Sequence, residues 1–300
     1  MAIGFIGLGN LGTPIAENLL TATGQLYVYN RTASKAQALI EKGAVLCSSV
    51  KELSGLCNIV FSIVSDDAAL NHITLGEEGI AANLEPDGVH ISMSTVLPQT
   101  STLLAEEHIK YNNYYITCPV MGRPEAARAQ KLNFLISGNA PKKEGVTELL
   151  RKAGGLNIFD FGEDVAAANV AKLCTNYLII AAIEAMAESI NLANNSGIDG
   201  AKWITMMQQT LFASPIYNNY GNILLKQSFQ PASFALRLGL KDVNLVLQQA
   251  VSSNTAMPFA GAVQQQLMKA LQQGLGDYDW TAVALALQPS ADVARRDEAE

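Results

Sequence analysis

Met1-Ala-Ile-Gly-Phe-Ile-Gly-Leu-Gly-Asn-Leu-Gly-Thr-Pro-Ile-Ala-Glu-Asn-Leu-Leu20 opens the chain. Ile3, Phe5 and Ile6 read as a buried strand, and Ile15, Ala16, Leu19 and Leu20 recur at helical spacing directly after it. Between them stands Gly7-Leu8-Gly9-Asn10-Leu11-Gly12, a G-x-G-x-x-G pattern. Alone the pattern is weak, because an ordinary strand-to-helix turn also uses glycine. In this context each glycine has its own physical reason. Gly7 permits the tight turn, Gly9 lets backbone N–H groups approach a pyrophosphate, and Gly12 brings helix and strand close. The helix N-terminus then turns its positive end toward the phosphates. Pro14 falls in the first helical turn, where its missing N–H costs nothing. The stretch predicts a dinucleotide-binding βα unit.

The end of the second strand bears on which dinucleotide fits. Leu26 and Val28 alternate as a strand, and an acidic residue at its end would bind a ribose 2′-hydroxyl; instead Asn30, Arg31 and Thr32 follow, with Lys35 one turn on. A guanidinium, a hydroxyl and an ammonium suit a 2′-phosphate that a carboxylate would repel. This predicts NADP(H) in preference to NAD(H), the alternative being that Arg31 and Lys35 are solvated charges at a helix start.

A chain of 300 residues with 49% hydrophobic content is long enough for two cores. The formal net charge of −7 and a pI near 5.1 argue against a nucleic-acid or anionic membrane partner, since both need a basic surface. The N-terminus enters a strand without a basic, apolar and cleavable leader, so a cytoplasmic location is expected. Cys47, Cys57, Cys118 and Cys174 are scattered and read as buried reduced thiols, and His72, His90 and His108 are equally unclustered, so no metal site is expected.

Residues 58–65 and 88–95 read as further buried strands with helical segments between, as do 113–120, 133–138 and 156–162. From Val165 a long segment without Gly or Pro before Gly197 is apolar on most of its circumference, as a buried core helix would be. Lys172, Asn176, Glu184 and Glu188 interrupt it and argue against a membrane span. The remainder is helical in pattern, broken near Ser214-Pro215, Gln230-Pro231 and Met257-Pro258. The expected fold is α/β: an N-terminal Rossmann doubly wound sheet over 1–163, joined by the long helix to an all-α substrate and dimerisation domain over 164–290. The polar residues 291–300 are expected to be a disordered tail.

The glycine loop, the Met93-Ser-Thr-Val-Leu-Pro98 segment, Pro119-Val-Met-Gly122, Val170-Ala-Lys-Leu-Cys-Thr-Asn176 and Phe234-Ala-Leu-Arg-Leu-Gly-Leu-Lys-Asp-Val-Asn-Leu245 occur in the order and spacing of one enzyme family. Over nearly its whole length the chain resembles the β-hydroxyacid dehydrogenases, which include 3-hydroxyisobutyrate dehydrogenase and the glyoxylate and succinic semialdehyde reductases, with 6-phosphogluconate dehydrogenase more distant. The resemblance implies that Lys172 is the catalytic acid/base. The family's paired asparagines are here Thr175 and Asn176, which assigns the second role to Asn176.

Lys172 can also be argued from chemistry. A lysine inside an apolar helix is costly unless it is paired, reaches solvent or lines a cleft, and its neighbours one turn away, Ala168 and Asn176, are small or polar. An ammonium there can stabilise and protonate the oxyanion that develops during carbonyl reduction, and Asn176 can orient substrate or lysine. The alternative is a snorkelling lysine at a domain boundary. Thr95, at the end of a predicted strand, resembles the family residue on the nicotinamide side. Lys241 resembles a lysine that reaches the cofactor from the helical domain, unless it is merely a surface pair with Asp242. Val64, Ser65 and Asp66, after the third buried run, are expected beside the adenosine ribose and pyrophosphate.

The departure from the family pattern is at the substrate. Thr117-Cys-Pro-Val-Met-Gly-Arg123 stands where relatives carry a serine and two glycines that hold a carboxylate. Met121 removes that hydroxyl, Gly122 is kept, and Arg123 either supplies a bidentate replacement or points to solvent. The expected activity is NADPH-linked interconversion of a small aldehyde or keto compound and its hydroxy acid or alcohol. A bulkier or less acidic substrate fits Met121. Imine reduction and non-catalytic dinucleotide sensing are the alternatives, and retention of Lys172 argues against both. The apolar helical half predicts a homodimer or homotetramer.

Overall fold

The computed structural model describes residues 1–287; the expected tail at 291–300 lies outside the described residues. Strands β1 (Ile3–Ile6), β2 (Tyr27–Tyr29), β3 (Val45–Leu46), β4 (Ile59–Ser62), β5 (Val89–Ser92) and β6 (Tyr114–Thr117) form one parallel sheet in the order β3-β2-β1-β4-β5-β6. Helices α1 (Gly12–Thr23), α2 (Gln37–Ile40), α3 (Val50–Leu56), α4 (Asp67–Thr74), α5 (Ile80–Asn83) and α6 (Pro98–Lys110) connect them. Every residue of β1, β4 and β5 is buried, as expected of parallel strands covered on both faces. Strand order reverses between β1 and β4, and ligands of open α/β sheets bind outside the carboxyl ends of strands at such a point. The glycine loop leaves β1 there.

Alternation along the strands divides the core. Ile59 and Phe61 join one apolar cluster with Phe5, Ile91 and Ile116, while Val60 joins another with Leu53, Leu70 and Tyr115. The second face also holds a polar chain. His90 and His108, scattered in the sequence and expected to be unrelated, lie fully buried with His90 Nδ1 3.1 Å from His108 Nε2. Asn113 Nδ2 donates to the Ala81 and Leu84 carbonyls, so its Oδ1, 2.5 Å from His108 Nδ1, must accept. His108 therefore carries its proton on Nδ1 and accepts on Nε2 from His90 Nδ1–H, and Ser62 Oγ donates to His90 Nε2 at 2.7 Å. Burial holds both rings neutral, His108 down to about 4 and His90 well below its ordinary value.

A smaller sheet, β7 (Val120–Met121), β8 (Leu132–Ile136) and β9 (Gly155–Asp160), is built with α7 (Pro124–Arg128) and α8 (Ala140–Lys152). The run 113–120, read as one strand, divides at Cys118-Pro119 between the two sheets. The exposed β3, Val-Leu, is two residues long, too short to show a strand period, and escaped the sequence reading. Lys143, buried on α8, is anchored by Asp160 and by the Gly162 carbonyl at 2.9 Å.

Helix α9 (Ala167–Asn195) follows, then α10 (Gly200–Gln208), α11 (Pro215–Lys226), α12 (Leu236–Ser252) and α13 (Pro258–Gln272), with 3-10 turns at Leu275–Asp277 and Trp280–Leu287. Contacts divide the chain into a unit of Met1–Lys172 and a second, helical unit from Leu173. The first turn of α9 belongs to the first unit, tied to it by Ala168 N–H donating to Ser137 Oγ at 3.1 Å. In the second unit Ile180, Ile183, Val243, Val263, Leu267 and Trp280 form the core.

Helix α9 is less covered than its sequence predicts. It is long and apolar enough to cross a membrane by length and composition, but Leu178 is 63% and Leu192 70% exposed. Cys174, expected to be buried, is exposed; Cys47, Cys57 and Cys118 are buried as expected. The composition marks an apolar surface on most sides, and one chain covers only part of it.

Candidate dinucleotide and catalytic site

The turn after β1 has the shape of a phosphate cradle. Gly7 adopts φ +100°, and a Cβ there would meet the Ile63 carbonyl oxygen at 2.1 Å. A Cβ on Gly12 would lie 2.0 Å from the Gly7 carbonyl oxygen, so helix and turn are too close for any side chain. Gly9 has open space above it instead. The Leu8 N–H is bound by Asn30 Oδ1 at 2.8 Å and the Thr13 N–H by the Gly9 carbonyl at 3.0 Å. The N–H groups of Gly9, Asn10 and Leu11 have no hydrogen-bond partner among the described residues. Gly9 and Asn10 are exposed, Leu11 is half-buried, α1 has no side-chain N-cap, and the residues present fit a dinucleotide pyrophosphate.

The ends of β2 and β3 enclose a cavity of about 280 Å³ lined by Tyr29, Asn30, Arg31, Ala33, Leu46, Cys47 and Ser48. Arg31, Thr32 and Lys35 are exposed, and Arg31 is the member of that group with a charged side chain on the cavity. Asn30, expected to meet phosphate, is largely engaged elsewhere: Oδ1 holds Leu8, and Nδ2 donates to the Thr32 carbonyl at 2.8 Å. It braces the glycine loop against the ribose side. Leu46, Cys47 and Ser48 were missed in the sequence because they follow the unrecognised β3. Burial, with help from the Glu52 charge, pushes the Cys47 thiol up to about 11, so it packs rather than reacts. Ser48 donates through both N–H and Oγ to Glu52 at 2.6 Å, which holds that carboxyl below its ordinary range.

The loops after β4 and β5 are tied together. Ser94 Oγ accepts from the Val64 N–H at 2.9 Å, and Asp67 Oδ1 accepts from the Leu97 N–H and Thr100 Oγ1. Asp66 caps α4 by accepting from the Ala69 N–H at 2.8 Å, and Ser65 Oγ donates to its other oxygen. Ser65 is exposed, while Val64, Asp66 and Thr95 are half-buried. In the segment where substrate is expected, Met121 is half-buried at the end of β7, opposite Asn133 on β8. Gly122 at φ +145° has no room for a Cβ, which would fall 2.6 Å from Leu132 Cδ2. Arg123 is half-buried, and α7 starts immediately after it.

Lys172 is 8% exposed, a buried lysine on an apolar helix. Asn176, one turn further along α9, is buried and donates through Nδ2 to Asp242 Oδ2 at 2.6 Å. Lys241 Nζ lies 2.9 Å from Asp242 Oδ1, close enough for an ion pair though off the line of a hydrogen bond. The second unit thus brings Asn176 and Lys241 together through Asp242, a buried carboxylate that sequence reasoning passed over as half of a surface pair.

Residues 2–162 match the family described as the NAD binding domain of 6-phosphogluconate dehydrogenase. Residues 166–287 match the NAD-binding family of NADP-dependent 3-hydroxyisobutyrate dehydrogenase. An uncharacterised oxidoreductase of Bacillus subtilis, YfjR, is 37% identical over 94% of this chain and 98% of its own. The chloroplastic glyoxylate/succinic semialdehyde reductase 2 of Arabidopsis thaliana is 30% identical over 96% of this chain and 80% of its own. Among solved structures, a 3-hydroxyisobutyrate dehydrogenase from Salmonella typhimurium shares the fold with a TM-score of 0.84 at 21% identity, covering 95% of this chain and 99% of that one. With a glycine cradle at the switch point of the sheet and both halves matched in order, the chain belongs to the β-hydroxyacid dehydrogenase family of oxidoreductases.

Proposed function

We propose that the protein is an NADPH-linked reductase of small carbonyl compounds, with Lys172 as the proton donor and, in the oxidative direction, acceptor. The observation that carries this reading is a buried lysine, Lys172, one helical turn from an asparagine whose carboxamide donates to buried Asp242 at 2.6 Å. The bound dinucleotide supplies the hydride. Glycine-loop N–H groups from Gly9, Asn10 and Leu11 hold its pyrophosphate, Arg31 with Thr32 and Lys35 holds a 2′-phosphate, and Lys241 reaches it from α12. Val64, Ser65, Asp66 and Thr95 line its path. As negative charge develops on the substrate oxygen, the Lys172 ammonium stabilises it and transfers a proton to it, while Asn176 orients the oxygen. Burial away from water strengthens both effects.

Substrate choice falls to Met121, Gly122 and Arg123. Met121 offers polarizable apolar surface where a hydroxyl would grip a carboxylate, which favours a bulkier or less acidic carbonyl compound than glyoxylate. The net charge of −7 supports a soluble cytoplasmic enzyme. Exposed Leu178, Leu192, Leu211 and Val251 in the helical unit support a homodimer or homotetramer.

Purified protein with NADPH or NADH, assayed against glyoxylate, succinic semialdehyde, longer aldehydes, keto acids and cyclic imines, tests the reading. Turnover of carbonyls that Lys172→Ala abolishes is expected, with Arg31→Asp moving preference toward NADH. Turnover indifferent to Lys172→Ala sinks the mechanism, and an unchanged cofactor ratio in Arg31→Asp sinks the 2′-phosphate assignment. Efficient reduction of glyoxylate without gain from Met121→Ser sinks the substrate assignment.

A further inference from the structure

The cavity at the ends of β2 and β3 has two unlike walls. On the β2 side stands Arg31, a permanent cation. On the β3 side stand Cys47 and Ser48, and neither has a backbone donor to spare for an anion. The Cys47 N–H donates to the Val28 carbonyl at 2.9 Å, and the Ser48 N–H and hydroxyl both donate to Glu52 Oε2 at 2.6 Å. A serine hydroxyl has one proton, so Ser48 Oγ keeps only lone pairs for a ligand.

Glu52 adds a charge to that wall. It is the third residue of α3, and its N–H donates to Ser49 Oγ at 3.0 Å while its carboxylate turns back to Ser48, which fixes it as one half of a capping box. The bonds from Ser48 hold the carboxyl below its ordinary range, so it is an anion at neutral pH. Its field reaches the cavity wall, because the Glu52 charge adds to burial in raising the Cys47 thiol. A phosphate oxygen needs donors and cations, whereas a ribose 2′-hydroxyl, itself a donor, needs an acceptor. We propose that Ser48 and Glu52 form a second specificity element opposed to Arg31: the serine oxygen accepts from a 2′-hydroxyl and the carboxylate repels a 2′-phosphate. The preference for NADPH is thereby restrained, and NADH remains a ligand. The proposal rests on the reading that this cavity receives the 2′ end of the cofactor.

The test is fluorescence titration of the full-length protein with NADPH and with NADH, wild type beside Glu52→Gln, Ser48→Ala and Arg31→Ala. Glu148→Gln, an exposed carboxylate removed from α8, controls for net charge. Glutamine keeps an oxygen that accepts from Ser48 and loses only the charge, so the helix cap survives. Glu52→Gln is expected to tighten NADPH by about threefold at low salt, with the gain fading at high salt and NADH unmoved. Ser48→Ala should weaken NADH by about threefold without weakening NADPH. Glu148→Gln should change neither. An unmoved NADPH affinity in Glu52→Gln, an equal shift of both dinucleotides, or a gain matched by Glu148→Gln overturns the role of the carboxylate. An unmoved NADH affinity in Ser48→Ala overturns the role of the hydroxyl. Arg31→Ala separates these outcomes from failure of the wider reading: if it shifts the NADPH/NADH ratio while the Glu52 and Ser48 variants do not, the opposing element alone is removed. A ratio unmoved in Arg31→Ala as well removes the 2′-phosphate assignment itself.

Discussion

Acidification should destabilise the first unit through His90 and His108. Both rings are buried and neutral in the folded chain and protonate near 6.5 once exposed. Below 6.5 the unfolded chain therefore binds protons that the folded chain refuses, and stability rises with pH in that window. The stability from these rings is complete above about pH 7 and is lost as pH falls toward the depressed folded values. Each ring contributes a slope of about 1.4 kcal/mol per pH unit, so the pair costs about 3 kcal/mol between pH 6 and 5. For His108, a fall from 6.5 to about 4 amounts to about 3 kcal/mol over the full window. The assay is urea unfolding at a series of pH values, read by hydrogen exchange in peptides from β5 and β6. A His90→Phe/His108→Phe double variant should lose the slope whatever its absolute stability. A wild-type slope below one proton, or an equal slope in the double variant, refutes the reasoning. Nitrogen-15 spectra provide a second check, since the chain from Ser62 to Asn113 requires the Nδ1–H tautomer in both rings.

Three further outcomes are expected. Gly12→Ala places a methyl 2.0 Å from the Gly7 carbonyl oxygen, so NADPH binding by fluorescence titration should fall at least tenfold, about 1.4 kcal/mol, while the second unit keeps its helical signal. Asp242→Ala frees the Asn176 amide and leaves Lys241 without its carboxylate; kcat should fall by about 10–100-fold, or roughly 1.4–2.7 kcal/mol, with Asp242→Asn retaining more activity than Asp242→Ala. Glu184 on α9 is buried with neither carboxylate oxygen hydrogen-bonded among the described residues, and burial, with the Glu188 charge, raises it to about 7. Its folded value lies above the unfolded one, so its burden on stability is absent at low pH and grows as pH rises from about 4.5 to 7. Glu184→Gln should raise Tm at pH 8 and not at pH 5, and a lower Tm at pH 8 would mean that the charge has a partner in the assembled protein.

What could be read from the sequence depended on distance along the chain. The glycine loop was legible because strand, turn and helix signals fall within twenty residues and each constrains the next. Lys172 stands out as a candidate because a lysine contradicts its apolar surroundings and matches the family's motif. Asp242 does not: it faces Asn176 across 66 residues, and in sequence it looks like half of a common surface pair. His90 lies on β5 and His108 on the last turns of α6, so only the packing of helix on sheet reveals them as one chain of hydrogen bonds. Asn30 was found for its place at the end of β2, but its bond to Leu8 requires the parallel register of β1 and β2. The exposed flank of α9 defeated periodicity, which reports how apolar a face is and not what covers it.

The Asn30 brace has a consequence for anyone re-engineering cofactor choice. Because one carboxamide fastens Leu8 in the glycine loop and Thr32 beside the cavity, an alteration of the β2 terminus is transmitted to the pyrophosphate grip. Replacing the residues from Asn30 to Thr32 as a block would therefore disturb the glycine loop as well, whereas changing Arg31 alone leaves the fastening intact and isolates the proposed 2′-phosphate contact.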